Sequence, residues 1–305
     1  MIYDVIIIGS GPAGVTAAIY AQRAELKSIV IEKTGFSGGQ IINTYEVDNY
    51  PGTPGISGFD LSAKFREHCE RLNTNFVTGE VVKLDIDNDI KVITLDDGSQ
   101  YRTKTVIIAT GGVPRHLDVP GEDKFSGLGV SYCATCDGAF FKNKTVAVVG
   151  GGDVAVEDAI FLSRICEKVY VIHRRDEFRA NKSSVNKLLS IDNVVVLWDS
   201  VVDSIKGTET VESLDIKNVK SEEVSNIEVS GVFIAVGYVP SSDPYKDVVA
   251  TDERGYIIAS ENCETNVPGI FAAGDIRTKD LRQIITAASD GANAITAVER
   301  YLTNN

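Results

Sequence analysis

The chain has 305 residues, 43% of them hydrophobic and 24% charged, enough for about two globular domains. Its 30 Lys and Arg against 43 Asp and Glu leave a net charge of −13, which argues against a nucleic-acid binder or a protein held to an anionic membrane. Met1-Ile2-Tyr3-Asp4 lacks the basic start of a signal peptide, no apolar run approaches the roughly 18 residues of a membrane span, and five cysteines with one close pair do not make a secreted disulfide framework, so the cytoplasm is the expected compartment.

Val5-Ile6-Ile7-Ile8 is a continuous apolar run, the pattern of a buried parallel strand. Gly9-Ser10-Gly11-Pro12-Ala13-Gly14 follows, then a helical stretch from Val15 to about Ala24, a second strand at Ser28-Ile29-Val30-Ile31, and Glu32. Each part of a dinucleotide-binding turn is present in order. Gly9 permits the tight turn, Gly11 lets a pyrophosphate approach the backbone at a helix N-terminus, and Gly14 lets helix and strand pack closely. Glu32 is placed to accept a hydrogen bond from a ribose hydroxyl. Ser37 to Gln40 and Asn49 to Gly52 read as loops, Phe59 to Leu72 as an amphipathic helix, Val77 to Ile86 and Val92 to Leu95 as strands, and Asp96 to Ser99 as a hairpin turn. Thr105 to Gly111 is a further buried strand ending on small residues.

The unit then recurs. Val146 to Val149 is a strand, Gly150-Gly151-Gly152-Asp153-Val154-Ala155 a glycine turn, a helix runs to about Cys166, and Lys168 to Ile172 is the second strand. Without a gap, Gly9 falls on Gly150, Gly11 on Gly152, Gly14 on Ala155 and Glu32 on His173. Two such folds imply two dinucleotides, or one fold that has lost its ligand. Where the first copy has an acid, the second has His173-Arg174-Arg175, with Arg179 following. An acid suits a free 2′-hydroxyl, whereas arginines grip a 2′-phosphate with paired hydrogen bonds, so the second site is predicted to prefer NADP(H).

Gly231 to Gly237 repeats the pattern of Thr105 to Gly111, and Gly112 to Arg115 and Val239 to Pro244 have the composition of linkers. The predicted fold is therefore α/β, with two Rossmann-like domains and the second inserted into the first: 1–115 and 244–305 form one, 116–243 the other. The linkers are predicted hinges. Val185 to Leu189 reads as helix and Val194 to Leu197 as strand; the closing segment offers a short strand ending at Gly274-Asp275 and a helix from about Gln283 to Leu302. Within the inserted domain stands Cys133-Ala134-Thr135-Cys136-Asp137. Two thiols at this spacing store and pass on two electrons, or supply half of a zinc site. No second cysteine pair exists to complete such a site, so no metal is expected.

Taken together, Gly9 to Gly14, Gly38-Gly39-Gln40, Asn49 to Gly52, Ala109-Thr110-Gly111, Cys133 to Asp137, Gly150 to Asp153, His173-Arg174-Arg175 with Phe178-Arg179-Ala180, Gly274-Asp275 and Arg282-Gln283 stand in family order. Across essentially its whole length the sequence resembles the bacterial-type, low-molecular-weight thioredoxin reductases, which are NADPH-dependent. The resemblance implies a homodimeric flavoprotein with FAD on the first domain and NADPH on the inserted one. Thioredoxin or a similar small dithiol protein is the implied partner. A glutaredoxin-like partner, or a redox-sensing flavin module acting by binding, are the alternative readings. By this resemblance Gly9, Gly11, Pro12, Ala13, Gly14, Glu32, Gly39, Gln40, Asn49, Ala109, Thr110, Gly111, Gly274, Asp275, Arg282 and Gln283 belong to the FAD site. Gly150, Gly152, Asp153, Val154, His173, Arg174, Arg175 and Arg179 belong to the NADPH site. Cys133 and Cys136 form the redox disulfide, Cys136 facing the flavin, and Asp137 is the implied proton donor and acceptor for the thiols. Ser289-Asp290-Gly291 departs from the family's usual Ala-Gly-x-Gly, and Val154 stands where many relatives carry a hydroxyl or amide.

Overall fold

Val5 to Ile8 are all but inaccessible to solvent, which puts their strand in the middle of a sheet covered on both faces. The computed structural model describes residues 1–44, 47 and 49–304; Tyr45, Glu46, Asp48, Asn305 and the side chain of Asn43 lie outside the described residues. The chain opens with β1 (Ile2–Ile8), α1 (Pro12–Arg23), β2 (Ser28–Glu32), α2 (Gly58–Arg71), β3 (Phe76–Thr78), β4 (Val81–Asp87), β5 (Ile90–Leu95), β6 (Gln100–Ile108) and β7 (Gly112–Pro114). It continues with β8 (Val130–Ser131), α3 (Ala134–Asp137), β9 (Thr145–Val149), α4 (Asp153–Leu162), β10 (Lys168–Ile172), α5 (Lys182–Leu189), β11 (Val194–Leu197), β12 (Ser200–Gly207), β13 (Val211–Asn218), β14 (Val224–Glu228) and β15 (Gly231–Ile234). It closes with β16 (Tyr238–Pro240), β17 (Ile270–Ala272) and α6 (Ile284–Asn304).

Two compact units result, Met1–Val113 with Val239–Asn305, and Pro114–Tyr238. The crossings fall at 113/114 and 238/239 rather than at 115/116 and 243/244. The second lies earlier because Ser241 to Tyr245 belong to the first unit: the Ser241 N–H donates to the Gly111 carbonyl, and Tyr245 is buried in that unit's core. The crossing strands β7 and β16 pair with each other.

In the first unit β3, β2, β1, β6 and β17 run parallel in that order. Long strand β6 has two neighbours on one side within this seven-stranded sheet: Thr103 and its predecessors pair antiparallel with β5, while Val106 to Ile108 pair with β17. Helices α1 and α6 cross on one face. A Cβ at Gly291 would strike the Ala13 carbonyl oxygen, so that approach requires glycine on α6. The strand predicted over Val77 to Ile86 is broken at Gly79-Glu80. There the Gly79 N–H turns to the Glu32 carbonyl, and a Cβ at Gly79 would press on Leu95 at 2.6 Å.

The second unit repeats the plan, with parallel strands in the order β11, β10, β9, β15, β8 and an antiparallel meander β12-β13-β14. Among the described residues no helix is long and apolar enough to cross a membrane.

One acid on α4 links this packing to pH. Burial, with Glu157 next to it, pushes the Asp158 carboxyl up from 3.8 to about 7. A carboxyl that holds its proton more tightly when folded stabilises the fold at low pH. That contribution declines as pH rises from 3.8 to about 7 and is gone above. Asp158→Asn is expected to flatten this slope and to raise stability at pH 8 by about 2 kcal/mol, after allowance for partial exposure. Urea midpoints at pH 5 and pH 8 check it.

Candidate active site

Cys133 and Cys136 are joined as a disulfide, their Cα atoms 5.3 Å apart. The chain leaves β8 and turns at Cys133, whose carbonyl accepts the N–H groups of Cys136 at 3.3 Å and Asp137 at 3.1 Å. That turn is α3, with Cys133 at its N-cap and Cys136 and the acid within it. Ser131, buried at the end of β8, ties the loop together. Its hydroxyl donates to Asp137 Oδ2 at 2.6 Å and accepts the Cys133 N–H at 3.1 Å. Just upstream of the disulfide, the Tyr132 hydroxyl donates to the buried Glu122 at 2.7 Å, and the Tyr238 hydroxyl donates to the Tyr132 carbonyl at 3.1 Å. The remaining cysteines are buried and free. Burial pushes the thiols of Cys69 and Cys166 up to about 11 and that of Cys263 up to about 12. They stay protonated near neutral pH, so the Cys133–Cys136 pair is the one suited to exchange.

In the first unit, Gly9 adopts φ +98°, and a Cβ there would lie 2.5 Å from the Ala109 carbonyl oxygen. A Cβ at Gly14 would strike the Gly9 carbonyl. Gly11 caps α1 with no side-chain hydrogen bond, and Pro12 begins the helix. Above Gly11 and above Gly111 the space is open, with no atom within 4 Å of an added Cβ. Gly39 lies against Gly11, and Gln40 donates to the Gly112 carbonyl. Thr110 Oγ1 donates to the Ser241 carbonyl at 3.0 Å, and Asn49 Nδ2 donates to Gln283 Oε1 at 2.9 Å. Glu32 Oε2 accepts both the N–H and the hydroxyl of Ser10 at 2.7 Å, while Oε1 accepts the Thr34 N–H. A carboxylate has lone pairs beyond these for a ribose hydroxyl.

Gly274 packs on α1, an added Cβ meeting Ala13 Cβ at 2.9 Å. Next to it, Asp275 Oδ1 is buried with no partner. Burial pushes this carboxyl up, against the pull of Lys279 and Arg282. Arg282 stacks 4.0 Å over the Tyr256 ring, and with Gln283 it lies just before α6. Open space over two glycines, together with a buried acid lacking a donor, fits a bound dinucleotide that brings phosphates and hydroxyls.

The second unit repeats the turn with different surroundings. Gly150 adopts φ +152° and a Cβ there would strike the Ala235 carbonyl, while the space over Gly152 at the start of α4 is open. Asp153 Oδ1 accepts the Asn181 N–H at 2.7 Å, and Val154 is exposed. Arg174, Arg175 and Arg179 are exposed, and among the described residues their guanidinium groups have no ion-pair partner. His173 sits differently from the arginines. It is 6% exposed, its ring lies under Gly151 and beside Phe178, and Nε2 faces the Glu177 carbonyl at 3.1 Å. Burial, reinforced by the three arginines, lowers its pKa, so the ring is neutral at pH 7 and supports the loop from beneath.

Residues 3–291 match the family described as pyridine nucleotide-disulphide oxidoreductase. The thioredoxin reductase of Peptoclostridium acidaminophilum is 45% identical over 100% of this chain and 98% of its own length. The chain belongs to this family, among the thioredoxin reductases. The crystal structure of the thioredoxin reductase from Streptococcus pyogenes MGAS5005 is 47% identical, with a TM-score of 0.89 over 100% of this chain and 99% of that one. The Lactococcus lactis enzyme, in its FR conformation, is 44% identical with a TM-score of 0.75, over 99% and 100%.

For a thioredoxin reductase the sequence reading left out one residue of the redox loop, Ser131. Its signal was a hydroxyl two places before the first cysteine, at the end of a strand. A hydrogen bond to a charged acceptor contributes about 1.5–3 kcal/mol. Ser131→Ala is therefore expected to slow thiol–disulfide exchange at Cys133 and Cys136 about tenfold with the fold intact. Stopped-flow reaction of the reduced protein with a small aromatic disulfide measures it.

Proposed function

We infer that this chain is an NADPH-dependent thioredoxin-disulfide reductase, carrying electrons from NADPH through FAD to its own disulfide and then to oxidised thioredoxin or a similar small dithiol protein. The observation that carries the reading is the Cys133–Cys136 disulfide, on a nucleotide fold whose three exposed arginines have no ion-pair partner among the described residues. Arg174, Arg175 and Arg179 grip the 2′-phosphate of NADPH, with Gly150, Gly152 and Asp153 beneath the pyrophosphate. Glu32 takes the adenosine ribose of FAD, Gly9, Gly11 and Gly14 its pyrophosphate, and Asp275 a hydroxyl donor. FAD, when bound, relays the electron pair from the nicotinamide to the disulfide.

Two electrons and two protons open the Cys133–Cys136 bond to two thiols. One thiolate then attacks the partner's disulfide and forms a mixed disulfide. The second displaces the partner as a dithiol and closes the bond again. Asp137, oriented by Ser131, receives and returns the protons of this exchange. Homodimerisation and a reducing cytoplasm are part of the same reading.

The test is a purified sample. Its yellow colour is expected to bleach with NADPH and return on adding oxidised thioredoxin; no thioredoxin-dependent oxidation of NADPH refutes the assignment. Turnover with a glutaredoxin-like protein alone would move the partner, and no turnover with either would favour a sensing module. Arg174→Ala with Arg175→Ala is expected to raise KM for NADPH about 10- to 100-fold, as losing charge-assisted bonds does, while leaving KM for NADH nearly unchanged. Steady-state kinetics with both nucleotides decide this.

A further inference from the structure

Asp290 is a charged residue in the buried stripe of α6, 4% exposed. Its carboxylate accepts four hydrogen bonds. Oδ2 takes the Gly274 N–H at 2.9 Å, Arg277 Nε at 2.8 Å and Lys279 Nζ at 2.8 Å, and Oδ1 takes a second Arg277 nitrogen at 2.9 Å. Burial works against its charge, but the bonds from Arg277 and Lys279 outweigh it and hold the carboxyl below its usual range. Both cations are themselves buried, at 7% and 9% side-chain exposure.

An ion cluster of this kind is not needed for packing, since well-packed apolar residues of similar volume often serve as well or better. Ala287, Gly291, Ala294 and Val298 already seat α6 on α1 and the sheet. The cluster does something an apolar side chain cannot. It gives an acceptor to the N–H of Gly274, a residue at φ +81° directly before Asp275. Asp275 is the acid whose Oδ1 is buried and unpartnered. The same Asp290 oxygen holds Lys279, whose charge favours the ionised form of Asp275 while the charge of Asp290 itself opposes it.

We propose that Asp290 is the positioning residue of the flavin site: held by Arg277 and Lys279, it pins the Gly274 N–H and so fixes the turn that aims Asp275 at the cofactor. This rests on the flavin reading above and adds to it a residue that touches the flavin site only through the Gly274 turn.

The test compares wild type with Asp290→Asn, each prepared with and without FAD. Flavin is expected to leave the variant at least tenfold faster on dilution, and added FAD is expected to raise the melting temperature of the apoprotein less than in wild type. If melting temperature falls equally with and without FAD while the release rate stays that of wild type, Asp290 is only a structural ion-pair partner and the proposal fails. Asp290→Asn leaves two buried cations without their counter-charge, so a second variant guards against misfolding. Lys279→Met with Asp290→Ser removes the acceptor together with one cation, and wild-type flavin release from that folded protein also overturns the proposal. A wild-type apoprotein whose melting temperature does not respond to FAD would instead sink the flavin reading itself.

Discussion

The carbonyl oxygens of Ala109 and Ala235 occupy the places where side chains on Gly9 and Gly150 would have to go. Each carbonyl belongs to the residue directly after a buried central strand, so the constraint is one of backbone against backbone and no rotamer relieves it. It forces β1 and β9 to turn sharply into α1 and α4. It also keeps the first turn of each helix free of side chains on the side where open space remains over Gly11 and Gly152. Glu32 and the Arg174-Arg175 pair are then delivered to matching points, at the end of β2 and just past the end of β10, an acid in one unit and two cations in the other.

How much of this the sequence revealed depends on burial. Strands covered on both faces, such as Val5 to Ile8 and Val146 to Val149, are unbroken apolar runs and carry their own signal. The meander β12-β13-β14 carries little. Its core side chains Val202, Ile205, Val211, Leu214 and Ile216 are separated by Asp, Glu, Lys and Ser, and register shifts near Val202 and Lys206 spoil the alternation that would have marked them. His173 shows the limit of reading charge from a run of letters. It stands beside two arginines in the sequence, yet this residue just past β10 points inward, and only contact with Gly151 and Phe178 reveals it.

The candidate site was legible where function and backbone coincide, in glycines, cysteines and the arginine cluster. It was less legible where a side chain acts on another side chain. Ser131 and Asp290 are both of this second kind, since each is buried and each holds a group that is named by its own motif. A lone serine on a strand end, or an aspartate within a helix, has no local spacing to mark it. Its partners lie six residues away in one case and sixteen in the other. The orphaned Asp275 oxygen points the same way: the motif singles out the acid, and only packing shows that its Oδ1 is buried without a partner.

The two units also differ in which strand completes the parallel sheet. In the first, the strand beside β6 is β17, which arrives after the insertion; in the second, the strand beside β15 is β8, which arrives before the glycine turn. The redox loop leaves β8 as the Gly274-Asp275 turn leaves β17, both from the carboxyl end of the same slot. The two units thus fill the same slot of the sheet with strands from opposite ends of their chain order. In one unit that slot leads to a buried acid with an unpartnered oxygen, and in the other to the Cys133–Cys136 disulfide.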